Sequence, residues 1–284
     1  MTDVDGAPAA APTTETAAAP STTAASATGV TDGAPQRPYT LGIDIGGTGL
    51  KASVLDAAGR MVADRVRVPT TYPTPPAKLV EDLARLVAPL PEYDRISAGF
   101  PGMVRAGRVL SAPQFATESG LGSRVLDDLV HQWFEFDLAS ALSERLGKPA
   151  KVANDADVQG LAVVSGTGLE LVVTLGTGVG TALFYEGRLL PHLEFAHHPF
   201  RKGETYNQQL GEATRKEIGS ERWKRRVHKA LECFRALTFF DHCYIGGGNS
   251  RRVGATPAPD ITIVDNSAGI IGGVKLWEDL HLAL

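Results

Sequence analysis

Residues 39–55 read Tyr-Thr-Leu-Gly-Ile-Asp-Ile-Gly-Gly-Thr-Gly-Leu-Lys-Ala-Ser-Val-Leu. Tyr39 to Ile45 alternates into an apolar run that stops at a glycine pair, and Lys51 to Leu55 is strand-like again. The pattern predicts strand, glycine loop, strand, with Asp44-Ile45-Gly46-Gly47-Thr48-Gly49 as the loop. About 130 residues further on the design returns: a strand over Leu169 to Leu175, the loop Thr174-Leu175-Gly176-Thr177-Gly178-Val179-Gly180, and a strand over Thr181 to Tyr185. A dinucleotide fingerprint must open a helix, and neither loop does. Both are hairpin tips, with more glycine and threonine than a two-residue turn requires. Glycine admits backbone N–H groups close to phosphate oxygens, and threonine hydroxyls add donors. Two such tips facing each other across a cleft would clamp a phosphate chain, although each alone is also compatible with a tight turn that binds nothing.

Outward from these loops, strands and helices alternate, which predicts an α/β fold. Asp56-Ala57-Ala58-Gly59 reads as a turn and Arg60 to Val68 as a third strand. Leu79, Val80, Leu83, Leu86 and Val87 have helical spacing within Ala77 to Ala88, and Pro89 stops the helix. Ile96 to Phe100 is a strand, Phe136 to Leu146 a helix closed by Gly147, and Ala150 to Ala153 a strand leading into a helix from Ala156. Ser220 is expected to cap a long helix with Trp223, Val227, Ala230, Phe234 and Leu237 on its apolar face. His242 to Ile245 is a strand before Gly246-Gly247-Gly248, and Asn266 to Leu280 a final helix.

The chain has 284 residues, 43% hydrophobic and 21% charged, with 28 basic and 32 acidic side chains. Such a composition is that of a soluble globular protein; the net charge of −4 argues against a dedicated nucleic-acid binder. Without a run of 18 apolar residues nothing is expected to span a membrane. Two cysteines, Cys233 and Cys243, are too few for a disulfide framework or a four-thiolate zinc site. Residues 1–37 differ from the rest: Ala, Thr, Pro, Ser and Gly fill 28 of the 37 positions, without an aromatic, Leu or Ile. This tail is expected to be disordered, and its acidic start is not that of a signal peptide.

The order Asp44-Ile-Gly-Gly-Thr, Asn154-Asp155-Ala156, Leu175-Gly-Thr-Gly-Val-Gly, Glu194-Phe195-Ala196-His197 and Gly246-Gly-Gly-Asn resembles the ROK family of sugar kinases over the whole body from about residue 40. Within that family the chain is most similar to the polyphosphate glucokinases. The resemblance implies the actin-like, ribonuclease H-like sugar-kinase fold. One domain would cover 38–148, rejoined by the last helix at 266–284, and a second 149–265, with substrates meeting in the cleft between them. It also implies a cytoplasmic homodimer that acts on a hexose with polyphosphate or ATP and Mg²⁺.

By the same resemblance Asp155 is the general base that takes the proton of the sugar hydroxyl. A carboxylate in that role contributes roughly 10²–10⁴ in rate. Asn154 and Asp155 also have the chemistry to cap the helix that follows. Asn154, Glu194 and His197 match sugar-binding positions, Glu204 a further acidic one, and Gln114 stands where relatives carry a sugar-contacting Asn. Asp44 would hold Mg²⁺ through water. Gly46, Gly47, Thr48, Lys51, Gly176, Thr177, Gly178, Gly247 and Gly248 would face the phosphoryl donor. Asp157 reads as a helix-start charge. No Cys-x-Cys-Gly-x-x-Gly-Cys follows His197, so no structural zinc is expected. Gln114 and the long segment from Phe115 to Trp133 border the sugar pocket and put glucose itself in question. Arg215, Lys216, Arg222, Lys224, Arg225, Arg226 and Lys229 read either as a solvated helix face or as a track for a polyanion. A sugar-sensing repressor would need an N-terminal helix-turn-helix, for which 1–37 has no apolar periodicity; a non-catalytic sugar-sensing protein is the alternative to the kinase.

Overall fold

The apolar run at Thr40–Ile45 lies at the centre of a sheet: Leu41, Ile43 and Ile45 are buried on one face, and Thr40 and Gly42 are buried on the other. The computed structural model describes residues 34–254, 258–264 and 268–278. The first half of the fold comprises β1 (Thr40–Ile45), β2 (Gly49–Leu55), β3 (Val66–Pro69), α1 (Pro76–Val87), β4 (Arg95–Phe100), β5 (Val104–Arg105), β6 (Arg108–Val109), α2 (Asp127–Trp133), β7 (Phe136–Asp137), α3 (Leu138–Leu146), β8 (Ala150–Asn154) and α4 (Asp155–Val163). The second comprises β9 (Leu169–Leu175), β10 (Val179–Tyr185), β11 (Arg188–Leu189), β12 (Pro199–Arg201), β13 (Glu204–Thr205), α5 (Tyr206–Leu210), α6 (Glu212–Ile218), α7 (Ser220–Thr238), β14 (His242–Gly246), β15 (Ile261–Ile263) and α8 (Ala268–Lys275).

Two five-stranded sheets follow one another, in the orders β3-β2-β1-β4-β8 and β11-β10-β9-β14-β15. In each, the first three strands pair antiparallel and the last two join in parallel. The fold is thus one α/β design used twice within the compact unit Pro35–Leu284. Both glycine loops are hairpin tips: Ile45 pairs with Leu50 across the first, and Leu175 with Val179 across the second.

Helix α1 buries Leu79, Leu83, Leu86 and Val87, the face its spacing predicts. Helix α4 carries the chain from the first sheet to the second and crosses α8 backbone to backbone. A Cβ on Gly272 would sit 1.7 Å from the Val158 carbonyl oxygen. Beneath the same crossing, Ser97 Oγ donates to the Gly273 carbonyl at 2.6 Å, and Trp277 Nε1 donates to Ser97 Oγ at 2.9 Å. The last helix therefore seals the first sheet.

Several expectations change. Strand β8 hydrogen-bonds to β4, so the first sheet runs through Asn154, beyond the division at 148/149. The third strand is only Val66–Pro69, with Met61 bridging to Leu55. Phe136 and Asp137 form a short strand, and Asp137 caps α3 by accepting from Ser140 N. Gly219, not Ser220, precedes α7. The Phe115 to Trp133 segment is anchored at both ends: Phe100, Phe115 and Trp133 pack with ring centroids 5.3–5.7 Å apart, which suits tilted aromatic pairs. Of the 1–37 tail, residues 1–33 lie outside the described residues, as do 265–267 and 279–284 at the ends of the final helix. Arg37 pairs with Asp94, and the Gln36 carbonyl accepts from Ala57 N at 2.8 Å. The body therefore begins before Pro38.

Gly272→Ala is expected to destabilise the protein by about 1–3 kcal/mol, because the added methyl has no room between α4 and α8. A urea midpoint equal to that of the unmodified protein would show that the two helices can part freely.

Candidate active site

Both hairpin tips open onto one cavity of about 410 Å³. The first is pinned from behind: Thr70 Oγ1 donates to the Gly46 carbonyl at 2.6 Å and Tyr72 OH to the Gly47 carbonyl at 2.7 Å. Gly46, Gly47 and Thr48 line the cavity, as do Asp44 and Lys51, which face each other across the hairpin with Nζ 2.7 Å from Oδ2. The second tip is held by elements that the sequence pattern did not connect with it. Asn207 Oδ1 accepts from Val179 N at 2.8 Å, Asn249 N donates to the Leu175 carbonyl at 2.9 Å, and Glu212 N donates to the Gly176 carbonyl at 3.1 Å. Glu212 is held ionised, at about 2, first by the bond from Arg215 and then by that from Asn249. Gly176, Thr177, Gly178, Gly247 and Gly248 complete this wall.

The floor is the N-terminus of α4. Asn154 caps the helix: its Oδ1 accepts from Ala156 N at 2.7 Å, and its Nδ2 donates to the Gly102 carbonyl at 3.0 Å. Most of its amide thus serves the fold, although its surface lines the cavity. Asp155 Oδ1 also accepts from Ala156 N, at 2.9 Å, a bond that favours its ionised form but is outweighed. Its carboxyl is pushed up to about 7, mainly by burial, then by the charge of Asp44, with Glu194 and Asp157 adding smaller repulsions.

Asp157 is not a solvated helix-start charge. It is buried, and His192 Nδ1 lies 2.8 Å from its Oδ1. The other ring nitrogen is buried without a hydrogen-bond partner, with Glu194 Oε1 3.6 Å away. Burial alone would raise the Asp157 carboxyl and lower the imidazole. Burial does raise the Asp157 carboxyl, but for the imidazole the bond to Asp157 and the nearby Glu194 carboxylate outweigh burial, and the proton stays on His192, pushed up to about 10. Nothing in the sequence marked His192; only the pairing of a strand-end loop with α4 makes it part of the site.

On the remaining side stand Gln114, Glu194 and His197. His197 Nε2 is 4.0 Å from Glu194 Oε2, both on the turn whose centre, Ala196, is fully buried. His198 is turned away, its Nδ1 2.9 Å from the Pro199 carbonyl. The Gln114 amide lies against the first loop, with Oε1 1.4 Å from where a Cβ on Gly47 would be, so any side chain there would have to displace that amide. Glu204 is not brought in: it is exposed on β13 and accepts from Gln209 Nε2. Leu121, from the long segment, and Gln159, Asn207 and Glu212 line the cavity although sequence reasoning did not place them there.

The ROK family model matches residues 40–192. The chain belongs to the ROK family. This ROK protein is 27% identical over 261 residues to the polyphosphate glucokinase of Mycobacterium tuberculosis, a match covering 86% of the chain and 93% of the relative. Among solved structures it is similar to the inorganic polyphosphate/ATP-glucomannokinase from Arthrobacter sp. strain KM, with TM-score 0.71 and 29% identity over 84% of this chain and 97% of that one. A ROK family glucokinase from Streptomyces griseus shares the fold at TM-score 0.68 and 19% identity, covering 84% of this chain and 98% of that one. The fold of the ROK protein is therefore the actin-like one, and its duplicated sheet is the repeat of that architecture.

Removing the His192 cation would leave Asp157 buried and unpaired. His192→Leu is expected to cost about 3–5 kcal/mol of stability. Because the folded pKa of His192 is raised, the contribution of the pair is complete below about pH 6.5 and is lost as pH rises through about 10. Denaturation midpoints of both proteins across this range check it: parallel pH curves would mean that His192 carries no charge in the fold.

Proposed function

We propose that the chain is a hexose kinase that transfers a terminal phosphoryl group from polyphosphate and/or ATP to a hydroxyl of glucose or a related hexose, the 6-OH in the simplest case. The supporting observation is the position of Asp155: at the floor of one cavity, between two glycine loops on one side and Gln114, Glu194 and His197 on the other. A carboxyl near 7 is poised as general base at neutral pH. Phosphoryl transfer otherwise asks for positioning and charge neutralisation, for which the backbone N–H groups and the hydroxyls of Thr48 and Thr177 are suited. Glu194 and the Gln114 amide have the acceptors and donors that sugar hydroxyls need. The names of the similar proteins support the same reading of acceptor and donor.

Asp44 would hold Mg²⁺ through water. The donor set fits: the hard Asp44 carboxylate, paired with Lys51, lines the cavity beside the first loop, and among the described residues no group of three or more His, Cys, Asp and Glu side chains is arranged as a metal cage. An ion that keeps most of its waters and is shared with phosphates needs no cage. Bound there, it would neutralise donor phosphate charge. Cytoplasmic location and a homodimer belong to the same proposal and rest on family resemblance; among the described residues no helix is long and apolar enough to cross a membrane. A non-catalytic sugar sensor would have no use for an acid–base group aimed between the loops.

Asp155→Asn should lose at least about 10²-fold in kcat with sugar affinity little changed. In the unmodified protein kcat/KM should rise with pH through about 7, since the base acts ionised and its pKa is raised. A coupled assay over a panel of hexoses, with ATP and with polyphosphate, checks both; near-normal turnover of the variant would remove Asp155 from the role, and no turnover with any pair would favour the sensor.

Gln114→Asn tests the sugar. If the site has drifted from glucose, the shorter amide should raise kcat/KM for glucose relative to other hexoses. A drop in glucose activity by the equivalent of about 1–3 kcal/mol would show that Gln114 already bonds the sugar.

A further inference from the structure

A second cavity, of about 350 Å³, is lined by Phe200, Arg201, Arg222, Arg225, Arg226 and Lys229. Four of these cations recur at i, i+3, i+4 and i+7 along α7, so they share one face, and Arg201 joins them from β12. Like charges at this spacing destabilise a helix. Two lysines of α7 are neutralised: Lys224, outside the cavity, pairs with Glu221, and Lys229, at the cavity's end of the row, with Glu232, each at 2.8 Å. Among the described residues no carboxylate forms an ion pair with Arg201, Arg222, Arg225 or Arg226. Glu204 and Glu217 act on Arg226 only through space, and Glu204 is already bonded to Gln209. Arg226 is half-buried, and burial and its arginine neighbours weaken its hold on the proton.

We propose that this cavity is a second anion site, which holds distal phosphates of a polyphosphate chain while the chain's end lies at Asp155. The proposal rests on the kinase reading with polyphosphate as donor. Arginine forks bond phosphate oxygens in pairs, and an uncompensated cluster gains most from a dense polyanion. A nucleic acid fits less well. Its bases need free aromatic faces, and Phe200 is stacked on Tyr206 with centroids 4.6 Å apart. The two cavities are also close along the chain. His197 lines the first and Phe200 the second, three residues on, which limits their Cα separation to about 11 Å.

The test is the triple variant Arg222→Gln, Arg225→Gln, Arg226→Gln, with Lys224→Gln as the control outside the cavity. Binding of long-chain polyphosphate is measured by filter retention without sugar, and KM is measured with long-chain polyphosphate, tripolyphosphate and ATP. The triple variant should bind long chains roughly tenfold or more weakly, with a shallower salt dependence, because three phosphate contacts are lost. Its KM for long chains should rise in step, with turnover on the short donors and the control unchanged. Unaltered long-chain binding in the triple variant would overturn the proposal, as would single-stranded RNA displacing polyphosphate at equal concentration. The binding arm does not depend on turnover: loss of binding in a protein that phosphorylates nothing would sink the kinase reading and leave the anion site standing.

Discussion

Four carboxylates, Asp44, Asp155, Asp157 and Glu194, converge on the start of α4 with two cations, Lys51 and His192, among them. The balance of this group governs the site. His192 neutralises Asp157 from behind and stands close to Glu194, Lys51 neutralises Asp44 at the front, and no cation is left for Asp155. Its carboxyl is therefore the one that burial and repulsion move into the neutral range. A pKa near the working pH makes a carboxylate both substantially ionised and a stronger proton acceptor than an ordinary surface one.

The rest of the fold brings these groups together and keeps them still. Because one sheet design occurs twice, each half supplies a hairpin whose tip reaches the same cavity, and α4 runs from one half to the other with its N-terminus at the bottom. The tips are braced by groups from distant parts of the chain, Thr70 and Tyr72 for the first, Asn207, Asn249 and the Glu212 amide for the second. Donors held in advance need no reorganisation when charge develops on a transferring phosphoryl group. The backbone crossing of α4 and α8 at Gly272 gives the floor the same rigidity.

Further segments surround that scaffold. The Phe115 to Trp133 segment is fastened by aromatic packing at both ends and carries Leu121 to the cavity, while Gln114 rests on the first loop. The short β12–β13 hairpin follows His197, and it leads from the Glu194 and His197 side of the cavity to the arginine face of α7. In the proposed reading, acceptor choice and donor length would be set by these peripheral segments around the Asp155 floor, as is common where one fold serves several substrates.

The sequence alone determined the parts whose signals are local. Period-two apolar runs broken by glycine specified both hairpin tips, helical spacing specified α1, and the order of the motifs carried the family resemblance that singled out Asp155 at a strand-to-helix junction. Tertiary structure decided what depends on meeting at a distance. Asp157 looked like a helix-start charge because its partner His192 is 35 residues away; Glu204 looked like a sugar ligand until β13 turned it outward; β8 joined the first sheet because strand pairing is a choice of neighbour, not of composition. The pKa of Asp155 belongs to the same class. Desolvation and the fields of Asp44 and Glu194 exist only once the two halves have folded against each other, and no linear pattern encodes a distance between charges.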